Sequence, residues 1–205
     1  MSRLPSPSDP AQPASFAFST ENQGGAKAII ARYPAGRQRS AVLPLLDLAQ
    51  RQEGWVSLAA MRHVAEMLDI PDIAVYEVAT FYTMYNLKPV GRHHLQICTN
   101  LPCQLRGSDD VVAACVNELG IGIGETTADG QFSLAEVECL GACVNAPVVW
   151  IADDYYEDID AGSMKTILAK LKSGETPEAG SQTGRMTSAP AGGLTTLLEP
   201  FGEKS

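Results

Sequence analysis

Apolar side chains recur at helical spacing from residue 26 to residue 86 and at strand spacing in several short runs after residue 91. Residues 1–24 carry neither pattern. Pro, Ser, Ala and Gln dominate there, few side chains can pack, and the stretch reads as a mobile arm. Residues 26–33 make a short helix stopped by Pro34 and Gly36. Residues 39–52 make a second, with Val42, Leu43, Leu45, Leu46, Leu48 and Ala49 on a broad apolar face, Pro44 in its first turn and Gly54 at its end. Ser57 is the N-cap expected for residues 58–68, where Leu58, Met61, Val64, Ala65 and Leu68 repeat at helical spacing. Pro71 opens a run over residues 72–86 that is too apolar for a one-faced surface helix. It reads as a core helix, the alternative being that its aromatic end docks on a partner subunit.

The period changes after Gly91. Residues 92–98 alternate as a strand, residues 102–119 form a helix with a stripe of Val111, Val112, Cys115, Val116 and Leu119, and residues 126–132 form a hairpin turning at Asp129-Gly130. Residues 147–151 and 155–159 make another hairpin, and residues 163–171 a closing amphipathic helix. This β-α-β-β-α order suits a small mixed sheet with helices packed on it, and a thioredoxin-like fold is the leading candidate. The fold class is α+β: an arm (1–24), a helical bundle (25–90), a thioredoxin-like domain (91–172) and a flexible tail (173–205) rich in Gly, Ser, Thr, Pro and Ala. Residues 194–201 offer a docking segment or, more simply, a frayed end.

With 205 residues, 45% hydrophobic and 19% charged, the chain has an ordinary water-soluble composition with enough apolar material for a core. The longest apolar run, residues 146–152, is far too short to cross a bilayer, so membrane association is expected through partners. The N-terminus lacks the apolar core of a signal peptide and the Arg-rich pattern of a transit peptide. The net charge of −9 is unevenly spread: residues 1–97 contribute +1, residues 98–160 contribute −11 and residues 161–205 contribute +1. That acidic middle excludes a nucleic-acid surface, which needs the opposite sign.

Four of the five cysteines fall in the acidic middle, as Cys98-Thr-Asn-Leu-Pro-Cys103 and Cys139-Leu-Gly-Ala-Cys143. An odd cysteine count without an export signal argues for reduced thiols available to metal. Two close pairs of soft, anionic ligands suit the two irons of a 2Fe-2S cluster. Pro102 near a helix start and Gly141 between ligands are expected to bring backbone N–H groups to the cluster. A structural zinc site stays open as an alternative, although the spacings lie outside the usual tight knuckles. Thiol exchange would want C-x-x-C, and a Rieske centre would need histidines interleaved with the cysteines, whereas His93 and His94 both precede Cys98.

Cys115 sits on an apolar stripe and reads as core, and His63 reads as a solvated surface residue. Asp153, Asp154, Glu157 and Asp158 read as a solvated hairpin, because they lack an ordered calcium loop. Gly120 to Gly124 follows a helix rather than a strand, the wrong context for a dinucleotide loop, and no catalytic grouping stands out. The acidic surround disfavours adding an electron, so a low reduction potential is expected.

The cysteine pattern with Pro147, preceded by Val75-Tyr-Glu-Val-Ala-Thr-Phe-Tyr82, resembles the 2Fe-2S E subunits (thioredoxin-like ferredoxin subunits) of respiratory NADH:quinone oxidoreductase, complex I, over residues 25–172. The resemblance implies that Cys98, Cys103, Cys139 and Cys143 bind one 2Fe-2S cluster. It also implies pairing with a flavin-bearing subunit that holds FMN and NADH, other peripheral-arm partners, and a place on the inner face of a bacterial plasma membrane. The same motif occurs in NAD-linked hydrogenases and formate dehydrogenases, the runner-up assemblies. A zinc-stabilised scaffold subunit is the rival that carries no electrons.

Overall fold

The computed structural model describes residues 12–190 together with 192, 193 and 196, and the chain divides into two compact units between Val90 and Gly91. Expectations for residues 1–11 and for most of 194–201 lie outside the described residues.

The first unit is helical: α1 (Thr20–Ala31), a 3-10 turn (Gln38–Ala41), α2 (Val42–Glu53), α3 (Leu58–Leu68) and α4 (Asp72–Phe81). Local chemistry sets the ends. Ser57 Oγ accepts the Ala60 N–H at the start of α3, and Gly54 closes α2 in the left-handed region with φ 80°. Leu45, Leu46, Val56, Val64 and Val75 are fully buried in the core of this unit.

The arm does not run to residue 24: Phe18 is buried, α1 starts at Thr20, and Gln52 Oε1 accepts the Ser19 N–H at 2.9 Å. Two aromatic residues, Phe16 and Phe18, supply packing that the arm's average composition conceals. They stack edge-on against His63, which is therefore half-buried rather than solvated. The helix from Asp72 stops at Phe81, where the chain turns so that Tyr85 is buried and donates its hydroxyl to the Leu43 carbonyl at 2.9 Å. Val75 and Ala79 face the core, but Ile73, Phe81, Tyr82 and Met84 are exposed, with Phe81 at 74%. The core reading thus holds for one face of α4 only.

The second unit is a five-stranded mixed sheet in the order β2-β1-β3-β4-β5, built from β1 (His93–Cys98), β2 (Phe132–Val137), β3 (Val149–Ile151), β4 (Asp154–Glu157) and β5 (Gly180–Ser181). β1 pairs parallel with β2 and antiparallel with β3. The helix expected over 102–119 is two, α5 (Leu101–Leu105) and α6 (Ser108–Leu119), because Gly107 takes φ 98° between them. α7 (Ala161–Ser173) opens on a capping box, in which Asp160 and Ser163 bond each other's backbone N–H groups. Val111 and Cys115 of α6 and Met164, Ile167, Leu168 and Leu171 of α7 share one core with Leu95, Ile97, Leu134, Val149 and Ile151 of the sheet.

The Asp129-Gly130 turn is present, with Thr126 bridging Ser133, but the chain then continues as β2 for six residues beside β1. The tail expectation fails over residues 175–188. β5 pairs parallel with β4, and Arg185 makes a 2.9 Å ion pair with Asp158 in which both side chains are nearly buried.

Candidate metal centre

Parallel pairing of β1 and β2 creates the site. The register ends at Cys98 opposite Val137, so the loops leaving both strands start from the same end of the sheet. One loop leads straight into α5 and Cys103; the other carries Cys139 two residues beyond β2. Polar side chains tie the two together: Thr99 bonds Glu136, and Asn100 Nδ2 donates to Glu138 Oε2 at 3.0 Å.

Cys98 and Cys103 are buried with Ala146 and Val148, and Leu140, Ala142 and Tyr155 pack against them. These two thiols are hydrogen-bonded to each other, and burial, followed by that bond, pushes Cys103 up to about 12. Cys139 and Cys143 are exposed and stand with Sγ atoms 3.3 Å apart. Gly141, at φ 81°, turns its N–H onto Cys139 Sγ at 3.4 Å; this bond, followed by that with Cys143, draws the Cys139 thiol below its usual value. Cys143 is raised in turn, first by its bond to Cys139, and it also feels the charge of Cys98 across the site. The expected N–H donor from the helix at 102 is different: α5 has five residues, and its leading N–H, from Leu101, bonds the Asn100 side chain.

The thiols therefore meet as two pairs, one buried and one at the surface. Four soft donors in two pairs fit a centre with two irons, each taking one pair.

Cys115 is fully buried in α6, and burial raises its thiol to about 12. In the native protein at pH 8 it is expected to resist iodoacetamide and to react once the chain is unfolded; labelling of the native protein at the rate of a free thiol would contradict this. Sequence reasoning missed Asn145 and Arg185, and the solvated-hairpin expectation fails at Asp158, whose side chain is 5% exposed and paired with Arg185. Asn145 is buried beside the second cysteine loop, and Arg185 Nη1 donates to the Val144 carbonyl at 3.0 Å. The available signal was thin: Arg185 is the sole basic residue between 173 and 193.

Comparison with known proteins agrees with this architecture. The model of the thioredoxin-like [2Fe-2S] ferredoxin family matches residues 26–172. The chain is 57% identical over 158 residues to the E subunit of the NADH-quinone oxidoreductase of Rickettsia bellii (strain RML369-C), covering 77% of this chain and 95% of that protein. It is 48% identical over 186 residues to the mitochondrial NADH dehydrogenase [ubiquinone] flavoprotein 2 of Dictyostelium discoideum, covering 90% of this chain and 75% of that protein. A solved NAD+-reducing [NiFe]-hydrogenase shares the fold with TM-score 0.56 and 18% identity, over 63% of this chain and 23% of the hydrogenase chain. With its paired thiols at the ends of two parallel strands, the chain belongs to the thioredoxin-like [2Fe-2S] ferredoxins and, among them, to the E subunits of NADH-quinone oxidoreductase.

Proposed function

We propose that Cys98, Cys103, Cys139 and Cys143 hold the 2Fe-2S cluster of this chain, and that the chain exchanges single electrons with the flavin of an NADH-binding partner subunit in a respiratory NADH-quinone oxidoreductase. The observation that carries the reading is the placement of one buried and one exposed thiol pair on the loops that leave the paired ends of β1 and β2. When bound, a 2Fe-2S cluster supplies a one-electron store whose potential the protein sets. The chain's own residues do the rest. Cys98 and Cys103 anchor one side in apolar surroundings that exclude water, and the Gly141 N–H stabilises a negatively charged sulfur on the other.

The exposed pair marks the side from which electrons enter or leave. Leu101, Leu105 and Val144 are exposed beside the cysteines, which supports a partner covering this end of the sheet. FMN and NADH belong to that partner. No helix among the described residues is long and apolar enough to cross a membrane; in this reading the chain reaches the inner face of the plasma membrane through the assembled peripheral arm. Recovering the tagged chain from membranes tests the assignment. The expected result is co-recovery of a flavin-containing subunit and NADH-dependent reduction of a quinone; a soluble hydrogenase or formate dehydrogenase in its place would contradict it.

Acidic groups beside the centre shape its potential. Glu136 and Glu138 bond the loop that carries Cys98 and Cys103, and Glu138 directly precedes Cys139. The midpoint is expected at or below that of plant-type ferredoxins, about −400 mV. Glu138→Gln is expected to raise it by tens of millivolts, since one negative charge is removed at short range. Potentiometric titration followed by electron paramagnetic resonance checks both; a wild-type midpoint far above that level, or no rise in the variant, would count against the electrostatic account.

A further inference from the structure

The family match ends at residue 172, yet the chain continues as ordered structure that returns to the second cysteine loop. Pro177 accepts a hydrogen bond from the Tyr156 hydroxyl at 3.5 Å, and β5 then pairs with β4. The Gln182 N–H reaches the Glu157 carbonyl at 2.9 Å, and Ser181 Oγ donates to Asp158 Oδ2 at 2.6 Å. Next comes Arg185, whose guanidinium spans two elements: Nη2 pairs with Asp158 Oδ1 at 2.9 Å, and Nη1 donates to the Val144 carbonyl at 3.0 Å, one residue beyond Cys143. Beyond it, the Thr187 carbonyl accepts from Asn145 Nδ2 at 2.8 Å, and the same amide donates to Glu157.

From this geometry we propose that residues 178–188 are a strap over the 139–145 loop, and that Arg185 is a positioning residue for Cys139 and Cys143. The proposal rests on the reading that these cysteines bind the cluster. The physical reason is the contrast between the two pairs. Cys98 and Cys103 are held by a strand end, a helix and a buried apolar cluster, whereas Cys139 and Cys143 sit in an exposed loop with a glycine between them. A loop of that kind has many conformations in which the two sulfurs diverge. The Arg185 fork removes them by fixing the Val144 carbonyl to an aspartate on the sheet side, and a planar, multi-donor guanidinium is suited to bridging two acceptors at once. Asp158 is itself positioned by its N–H, which donates to the Asn145 carbonyl at 2.7 Å. The fork thus closes a ring of bonds through Val144, Asn145, Asp158 and Arg185. The two side chains of the ion pair are 12% and 5% exposed, so water competes weakly for them.

The test compares the full-length wild type with Arg185→Ala, Met186→Ala and Leu168→Ala. Met186 lies next to Arg185 with its side chain exposed, and Leu168 is buried in α7, so its truncation destabilises the same unit without touching the strap. Three readouts are taken: amide hydrogen exchange of residues 141–146, the rate at which a chelator removes iron, and the electron paramagnetic resonance line shape of the reduced protein. Arg185→Ala is expected to speed exchange in the loop and iron loss by about ten-fold or more, and to change the line shape. Met186→Ala should match wild type in all three, and Leu168→Ala should keep the wild-type line shape. Wild-type exchange and iron loss in Arg185→Ala would overturn the strap. Faster loop exchange with unchanged line shape and iron loss, or changes no different from those in Leu168→Ala, would overturn the positioning role while leaving the ligand assignment intact. A wild-type protein without iron would instead defeat the ligand assignment, and the positioning role with it.

Discussion

Replacing Cys103 with alanine is expected to yield a folded protein that contains neither iron nor acid-labile sulfide. Cys103 is buried in a cluster with Cys98, Ala146 and Val148, and the one side-chain hydroxyl packed against that cluster, Tyr155, is committed to the Leu140 carbonyl at 3.2 Å. In the proposed site, Cys103 would supply one of four thiolates, and its loss from an apolar wall would leave a position that neither protein nor solvent fills, so the cluster would not assemble. The exposed pair behaves differently. Cys139→Ser keeps an oxygen in a solvent-accessible loop, and a hydroxyl can be replaced or assisted by water there, so this variant is expected to retain a labile cluster with an altered spectrum. Iron and sulfide analysis with far-ultraviolet circular dichroism separates the cases. Full iron content in Cys103→Ala, or complete loss in Cys139→Ser beside retention in Cys103→Ala, would reverse the roles given to the two pairs.

Gly91→Ala should cost about 3 kcal/mol of stability in the second unit, at the upper end of what overpacking does. A Cβ at this position would lie 2.6 Å from the Phe132 carbonyl carbon and 2.8 Å from its nitrogen. These obstacles are backbone, so no rotamer change relieves them. The strain falls on the start of the β1–β2 ladder, where the Gly91 N–H donates to Ser133 Oγ and the His93 N–H donates to the Gln131 carbonyl at 2.8 Å. Because the same ladder ends at Cys98 opposite Val137, a shift in register or spacing would reach the proposed metal centre. The melting transition of the second unit is expected to fall by roughly 10 °C, with weaker iron retention. An unchanged transition would mean that the strands separate here without cost, and that the ladder does not set the site.

Much of the architecture is legible locally. Ser57 before an apolar helical repeat and Gly54 after one are end signals whose chemistry acts over a few residues, and the structure shows both in use. The cysteine pairs are similar in kind: each pair lies within six residues, and the structure brings Cys98 to Cys103 and Cys139 to Cys143. That the loops carrying the two pairs leave the same end of the sheet depends on a parallel strand pairing, which no local pattern reveals.

Other features resist a local reading for the same physical reason. Phe18 is buried in a core most of whose other members lie far along the chain and stacks on a histidine 45 positions away, and a composition rich in Pro, Ser and Ala hides it. The run beginning at Asp72 is apolar enough for full burial, but burial needs a second surface; α4 ends at Phe81, and Phe81 and Tyr82 project outward. Arg185 is the clearest case. Its partners Asp158 and Val144 lie 27 and 41 residues back, and the intervening tail has the composition of a linker. A single ordered cation turns such a segment into structure once buried acceptors await it.

Whether four thiolates in two pairs hold an electron carrier or a structural ion is decided by the metal they retain. Anaerobic purification, followed by iron, zinc and acid-labile sulfide analysis of the same sample and electron paramagnetic resonance of its reduced form, tests this most directly. About two irons and two sulfides per chain, with a resonance that appears on reduction, are the predicted result; one zinc per chain with no sulfide and no signal would contradict it.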